Sequence, residues 1–313
     1  MVQFGVSLPT IGMEDPQAVR LVAQQAEAEG LDSVWAADHV VLPTGSSSPY
    51  PYSETGEFLI QPGLPFLDQF TTLAYVAGCT SRVRLGTAVT LLPLRHPLLT
   101  AKTVATLDVL SGGRVTLGVA AGWLEQEFQV LDVSFEDRGA LLDEGLDVMR
   151  AAWTQTEVSY EGRFYRVHGV ASYPHPAQKP HPPIWVGGHT KPAMRRAAQY
   201  GSAWVPPLYH VTPQSLAEAH ARVQEMARGF GRRPEEVELA LRVLVDLRDE
   251  PDEAGAAQRN ALYGDTAVMA ATLRDYVNIG VSHFIFLPQA RSPAEVQQTV
   301  HRLTQELVPR LRE

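Results

Sequence analysis

Three short stretches hold side chains of the types and spacing that chemistry requires. "SVWAADHV" ends on Asp38 and His39, "LGVAAGWLEQEF" breaks an apolar run at Gly122-Trp123, and "WVGGHTKPAM" sets Gly187-Gly188 ahead of His189, Thr190 and Pro192. Imidazole titrates near neutrality, so His39 is a candidate for proton exchange, with Asp38 able to fix its orientation. The same pair is equally consistent with a structural histidine beside a turn-capping acid, and spacing alone leaves both readings open. Trp123 reads as the wall of a pocket, the competing reading being an aromatic packed under the Leu124 to Leu131 segment with its indole N–H satisfied. Glu125 and Glu127 are two apart and point in different directions in any helix or strand. They are read as solvated or helix-capping groups, not as a paired acid and base. Glycines at 187 and 188 permit close approach of a ligand to the backbone, and the N–H groups of the helix that Pro192 opens favour an anion. That makes a candidate phosphate cradle, against the alternative of a tight turn with Thr190 as N-cap.

Other chemistries are excluded. His168, His175 and His181 form no His-Glu-x-x-His or Cys/His grouping, so no metal is expected, and no Gly-x-Ser-x-Gly elbow is present. A formal net charge of -9 without a basic stripe argues against nucleic acid. Cys79 is the only cysteine, which rules out an intrachain disulfide; it is read as a small core residue of a protein kept in a reducing cytoplasm. The opening "MVQFGVSLPT" lacks a basic stretch followed by a long apolar one, and no run approaches the ~20 apolar residues that span a bilayer, so a soluble, unprocessed chain is expected.

The candidates must be positioned by elements that alternate along the chain. Apolar residues make up 45% of 313 and charged residues 19%, enough apolar surface for a sizeable core. Runs rich in Val, Ile, Leu and Phe predict strands at Phe4 to Leu8, Ser33 to Ala36, Val83 to Leu91, Val115 to Val119, Ile184 to Val186, Ala203 to Val205, Val237 to Asp246 and His283 to Leu287. Segments of helical period lie between them, opened by signals such as Asp15-Pro16 and Ser134 with Asp137. Eight such pairs predict an α/β fold of the (β/α)8 barrel type, a TIM barrel, forming one domain over residues 1–313. Residues 154–183 interrupt the alternation after the fourth helix with a hairpin-like pair and a proline-rich return. The loop over 43–65 is long enough to be functional, and residues 249–260 lengthen the connection after strand seven and are expected to be mobile. A doubly wound sheet is the alternative, but "VSLPTIGMED" after the first strand carries no glycine-rich phosphate fingerprint. In a barrel the active site lies at the carboxyl ends of the strands, where the three stretches all fall.

"SVWAADHV", "RVRLGTAVTLLPLRHP", "SGGRVTLGVAAGWLEQEF" and "PPIWVGGHTKPAMRRAA" occur in an order and spacing that resembles the bacterial luciferase-like monooxygenase superfamily, most of all its branch of deazaflavin (coenzyme F420) dependent oxidoreductases. The resemblance runs from Phe4 to about Leu287. It implies a barrel with an insertion after the fourth helix, a cofactor lying across the mouth, and a homodimer. It assigns His39 to the redox carbon, Ala88 and Val89 to a backbone bulge under the central ring with a cis peptide bond between them, and Gly187 to Thr190 to the cofactor phosphate; Gly122 and Trp123 border the cofactor. Relatives acting on sugar phosphates carry a carboxylic acid after the strand-four glycine, whereas this chain has Trp123, so the expected substrate is a small apolar molecule. The leading expectation is hydride transfer with F420. The alternatives are a monooxygenase using reduced FMN and oxygen, and a flavin-binding protein without catalysis.

Overall fold

The computed structural model describes residues 1–12, 15–44, 48–52, 56, 60, 62–208, 211–248, 250–251, 255–256, 261–290 and 292–312. In chain order these form β1 (Gln3–Ser7), α1 (Pro16–Ala28), β2 (Ser33–Ala36), α2 (Gln69–Ala77), β3 (Arg84–Thr87), β4 (Thr90–Leu91), α3 (Pro97–Leu110), β5 (Val115–Ala120), α4 (Glu125–Val130) and α5 (Arg138–Thr154). An antiparallel hairpin of β6 (Val158–Glu161) and β7 (Arg166–Val170) follows. The alternation resumes with β8 (Ile184–Gly187), α6 (Lys191–Tyr200), β9 (Ala203–Val205), α7 (Pro213–Gly229), β10 (Glu238–Asp246), β11 (Leu262–Tyr263), α8 (Thr266–Asn278), β12 (Val281–Pro288) and α9 (Pro293–Arg302). A π-helical turn (Leu303–Leu307) and α10 (Val308–Arg312) complete the described chain.

Strands β1, β2, β3, β5, β8, β9, β10 and β12 pair in that order, all parallel, and β10 pairs with both β9 and β12, which closes the ring. This is the TIM barrel that the alternation predicts. Helix starts follow the caps the sequence supplies: Asp15, Asp68, Thr190, Thr212, Asp265 and Ser292 each accept a hydrogen bond from a first-turn N–H. The predicted insertion is the β6–β7 hairpin and the proline-rich return to β8. The mobility expected for residues 249–260 falls mostly outside the described residues.

Burial separates into two layers. Leu241, Val243, Phe284 and Phe286 point outward to the helices, whereas Trp35, Trp185, Ala203, Val205, Ala240 and Ile285 fill the barrel interior. The Trp35 ring fits because β3 carries a glycine beside it: a Cβ on Gly86 would lie 2.1 Å from Trp35 Cε3. At the floor, Trp35 Nε1 donates to Ser33 Oγ at 2.8 Å, and Ser33 Oγ lies 2.9 Å from His283 Nε2. Burial pushes the His283 imidazole down to about 3, with the Arg84 charge adding to the effect.

Two expectations are corrected and one element is added. The third strand is not continuous, because Thr87 Oγ1 donates to Gly118 O at 2.8 Å and accepts from Gly118 N at 2.9 Å, taking over the pairing where the backbone leaves the ladder before Thr90. Helix α4 was not foreseen, since six residues are too few for periodicity to reveal. Cys79 is half-buried at the end of α2 and not a core residue; burial raises its thiol pKa.

Candidate active site

The mouth of the barrel is built by the loops after β2, β3, β5 and β8. Ser33–Ala36 ends in the turn that carries Asp38 and His39, and the two side chains part company there. Asp38 is buried and pairs with Arg95 through two bonds, Oδ2 to Nη1 at 2.6 Å and Oδ1 to Nη2 at 2.7 Å, while accepting from Leu91 N at 2.8 Å. Burial raises its carboxyl pKa, and Arg95 and the Leu91 N–H pull the other way. Asp38 thus ties the β2 turn to the segment after β4, and the expectation that it orients His39 is corrected.

Glu127 takes that place. Its Oε2 lies 2.7 Å from His39 Nδ1, and its Oε1 accepts from Val40 N at 2.6 Å and from Val41 N at 3.2 Å. Glu127 is fully buried, whereas Glu125 is exposed, so the two glutamates do point apart but Glu127 is neither solvated nor a helix cap. The carboxylate accepts the Nδ1 hydrogen bond, which selects the tautomer with Nε2 as the basic nitrogen. Nothing in local spacing relates positions 88 residues apart, and sequence reasoning missed the pair for that reason.

Aromatic rings extend from His39 around the mouth. Trp123 meets the His39 ring edge-on at 6.2 Å, and Phe66 does so at 5.6 Å. Tyr50 packs on Trp123 at 5.1 Å, Tyr52 on Tyr50 at 5.4 Å, and Tyr52 on His189 at 5.5 Å. Trp123 thus packs edge-on between His39 and Tyr50, and the long loop supplies two rings, Tyr50 and Tyr52. Gly122, at φ +90°, lies over Phe128, where a Cβ would come within 2.8 Å of the ring. Burial pushes the Tyr52 phenol up to about 12, Tyr50 adds to the rise, and the nearby Arg242 guanidinium opposes it.

Under this wall the Ala88–Val89 peptide bond is cis. Ala88 belongs to the barrel interior, and the Val89 methyls reach across to β5 and β8: a Cβ on Gly187 would stand 3.1 Å from Val89 Cγ1, and one on Gly118 would stand 3.2 Å from it. Two glycines thus make room for one valine. Thr90 Oγ1 donates to Thr87 Oγ1 at 3.0 Å, with Gln69 Oε1 3.2 Å away, which braces the bend.

The Gly187 to Thr190 turn leaves β8 with Gly188 at φ +105°, a backbone conformation that favours glycine. Trp204 Nε1 donates to Gly188 O at 2.7 Å and fixes the turn from behind. Thr190 Oγ1 caps α6 by accepting from Ala193 N at 3.4 Å, and His189, Thr190 and Lys191 are exposed on the rim. The architectural role is therefore present: Gly188 N donates to Val205 O at 3.3 Å and Met194 N to Thr190 O at 2.9 Å. Among the described residues no group of His, Cys, Asp or Glu could hold a metal ion, and no helix is long and apolar enough to cross a membrane.

Comparison with known proteins gives a consistent picture. The family model described as luciferase-like monooxygenase matches residues 1–307. An uncharacterized protein of Mycobacterium tuberculosis is 33% identical over 213 residues, covering 67% of this chain and 72% of its own. An FMNH(2)-dependent dimethylsulfone monooxygenase of Pseudomonas putida is 31% identical over 163 residues, covering 51% of this chain and 44% of its own. Among solved structures, an F420-dependent secondary alcohol dehydrogenase in complex with an F420-acetone adduct superposes with a TM-score of 0.78 at 19% identity, covering 100% of this chain and 99% of that one.

Proposed function

The chain belongs to the luciferase-like monooxygenase family, and on that premise we propose that it is an oxidoreductase that uses the deazaflavin F420 to pass a hydride to or from a small organic substrate. The observation that carries the reading is the His39–Glu127 pair, which stands at the mouth with its basic nitrogen defined, beside a ring-lined wall and opposite a glycine turn. Ala88 and Val89 would lie under the cofactor ring, Gly122 and Trp123 at its edge, and the Gly187 to Thr190 turn against its phosphate. The glycine pair suits that group, because a side chain at 188 would stand on the approach. Bound F420 would donate or accept the hydride. His39 gives or takes the proton at the substrate oxygen, Glu127 holds its ring, and the aromatic wall excludes water.

The similarity to an F420-dependent dehydrogenase structure supports this choice, and the similarity to an FMNH(2)-dependent monooxygenase supports the alternative of reduced FMN with oxygen. A homodimer fits apolar side chains exposed on neighbouring α2 and α3, where Leu99 is 70% and Leu110 73% exposed and Tyr75 and Val109 lie open as well. A cytoplasmic location fits the single cysteine. Equilibrium titration with oxidised and reduced F420 and FMN, followed by turnover in an oxygen electrode, tests the reading. F420 binding with substrate reduction and no oxygen uptake is expected. Tight FMN binding with oxygen uptake coupled to product would replace it with the monooxygenase.

A further inference from the structure

Arg242 lies in register with Ile285 of β12, and Ile285 and Ala240 both belong to the barrel interior, whereas Leu241 and Val243 belong to the outer layer. Strand alternation therefore turns Arg242 inward, one layer nearer the carboxyl mouth than Ala240. Its Nε is buried and has no hydrogen-bond partner among the described residues. Asp246, four residues on along the same face of β10, is taken up by Arg248, with Oδ1 2.9 Å from Nε and Oδ2 2.6 Å from Nη2. A guanidinium presents a planar fork of N–H donors, so the ring-walled mouth contains one donor left to satisfy. Its place on the wall is also informative. In the order β1, β2, β3, β5, β8, β9, β10, β12, the strand bearing Arg242 is the seventh, across the barrel from the third, whose end carries Ala88 and Val89, and two strands from the Gly187 turn.

We propose that Arg242 is a specificity-determining residue that pairs with a carboxylate on an otherwise apolar substrate. This rests on the function proposed above, which puts the cofactor ring over Ala88 and Val89 and its phosphate at the Gly187 turn, leaving the Arg242 side of the mouth to the substrate. The planar fork of a guanidinium matches a carboxylate through two parallel hydrogen bonds. The apolar body of the substrate then lies against Tyr52 and the rings beyond it, while its charged end fixes which part faces the cofactor. The small apolar substrate implied by Trp123 becomes an amphipathic one.

The test is isothermal titration of the full chain with benzoate, with benzyl alcohol and with inorganic phosphate, in the presence and absence of oxidised F420 or FMN, for wild type, Arg242→Gln and Arg242→Lys. Thermal melting and near-UV dichroism establish that each variant is folded. Benzoate is expected to bind at least about tenfold more tightly than benzyl alcohol, with the preference falling within about twofold in Arg242→Gln and partly restored in Arg242→Lys, while cofactor affinity stays unchanged. No preference for benzoate in wild type, which needs no variant to read, overturns the proposal, as does a preference that survives Arg242→Gln. Inorganic phosphate competing with the cofactor, together with about tenfold weaker cofactor binding in Arg242→Gln, would assign the guanidinium to the cofactor phosphate and overturn the substrate role. Failure of F420 to bind wild type would refute the proposed function instead, and the benzoate arm would still report on Arg242.

Discussion

Glu127 Oε2 lies 2.7 Å from His39 Nδ1, joining the loop after β2 to the short helix after β5. The same carboxylate binds the N–H groups of Val40 and Val41, so it sets the imidazole tautomer and the path of the loop together. Replacing Glu127 by Gln keeps the shape and removes the charge. We expect kcat to fall about 10–100-fold, the range seen where a histidine at a metal site loses the carboxylate that orients it, with cofactor affinity unchanged. His39→Ala should lower kcat further. A Glu127→Gln protein with wild-type kcat would confine Glu127 to loop architecture.

Gly188 at φ +105° should tolerate substitution poorly for two separable reasons. Gly188→Val strains the backbone by about 1–3 kcal/mol and places a side chain over the turn expected to meet the cofactor phosphate. Thr190→Ala removes only the cap of α6, at about 1 kcal/mol. Melting curves and cofactor titration distinguish them: both variants should melt lower, and Gly188→Val should lose far more affinity. Equal affinity in a folded Gly188→Val protein would reduce the turn to architecture.

The Asp38–Arg95 pair predicts a stability effect at a site next to the candidate catalytic histidine. Asp38→Ala leaves Arg95 with Asp68 Oδ2 at 3.8 Å in place of two short bonds, and leaves the Leu91 N–H unsatisfied. The cost should be about 2–4 kcal/mol, below that of breaking a fully buried pair because the Arg95 side chain keeps some contact with water. Denaturant titration measures it, and a loss under about 0.5 kcal/mol would be incompatible with the geometry.

His283 gives the barrel a pH dependence of defined sign. Its imidazole is held neutral, with a pKa of about 3 in the fold against the ordinary value of 6.5. The unfolded chain therefore binds the proton first. The stability it contributes is complete above about pH 6.5 and declines as pH falls toward 3, at up to about 1.4 kcal/mol per pH unit. Urea titrations from pH 7 to 4.5 should show this slope in wild type and a shallower one in His283→Gln; parallel slopes would mean that another group carries the dependence.

Leu99 and Leu110 on α3 test the proposed homodimer. Leu99→Glu with Leu110→Glu should halve the mass seen by light scattering while leaving the melting of the barrel otherwise cooperative. An unchanged mass would remove these helices from any interface.

The sequence by itself determined the barrel and which residues follow the carboxyl ends of its strands. Strand and helix patterns depend on neighbours a few residues away, so the runs at Ser33–Ala36 and Ala203–Val205, the caps at Asp15 and Thr190, and the interruption over 154–183 were all legible. The rule that barrel sites gather at strand carboxyl ends then brought His39, Trp123 and the Gly187 turn together without any contact being known. Only the tertiary structure decided who partners whom. Asp38 is adjacent to His39 in the chain, yet consecutive side chains diverge, and it pairs with Arg95 across 57 residues. Glu127 reaches His39 because β2 and β5 lie on one barrel with their loops folded over one mouth, and Arg242 faces that mouth because β10 closes the ring between β9 and β12. Such pairings depend on distances set by sheet closure, and closure is a property of all eight strands at once.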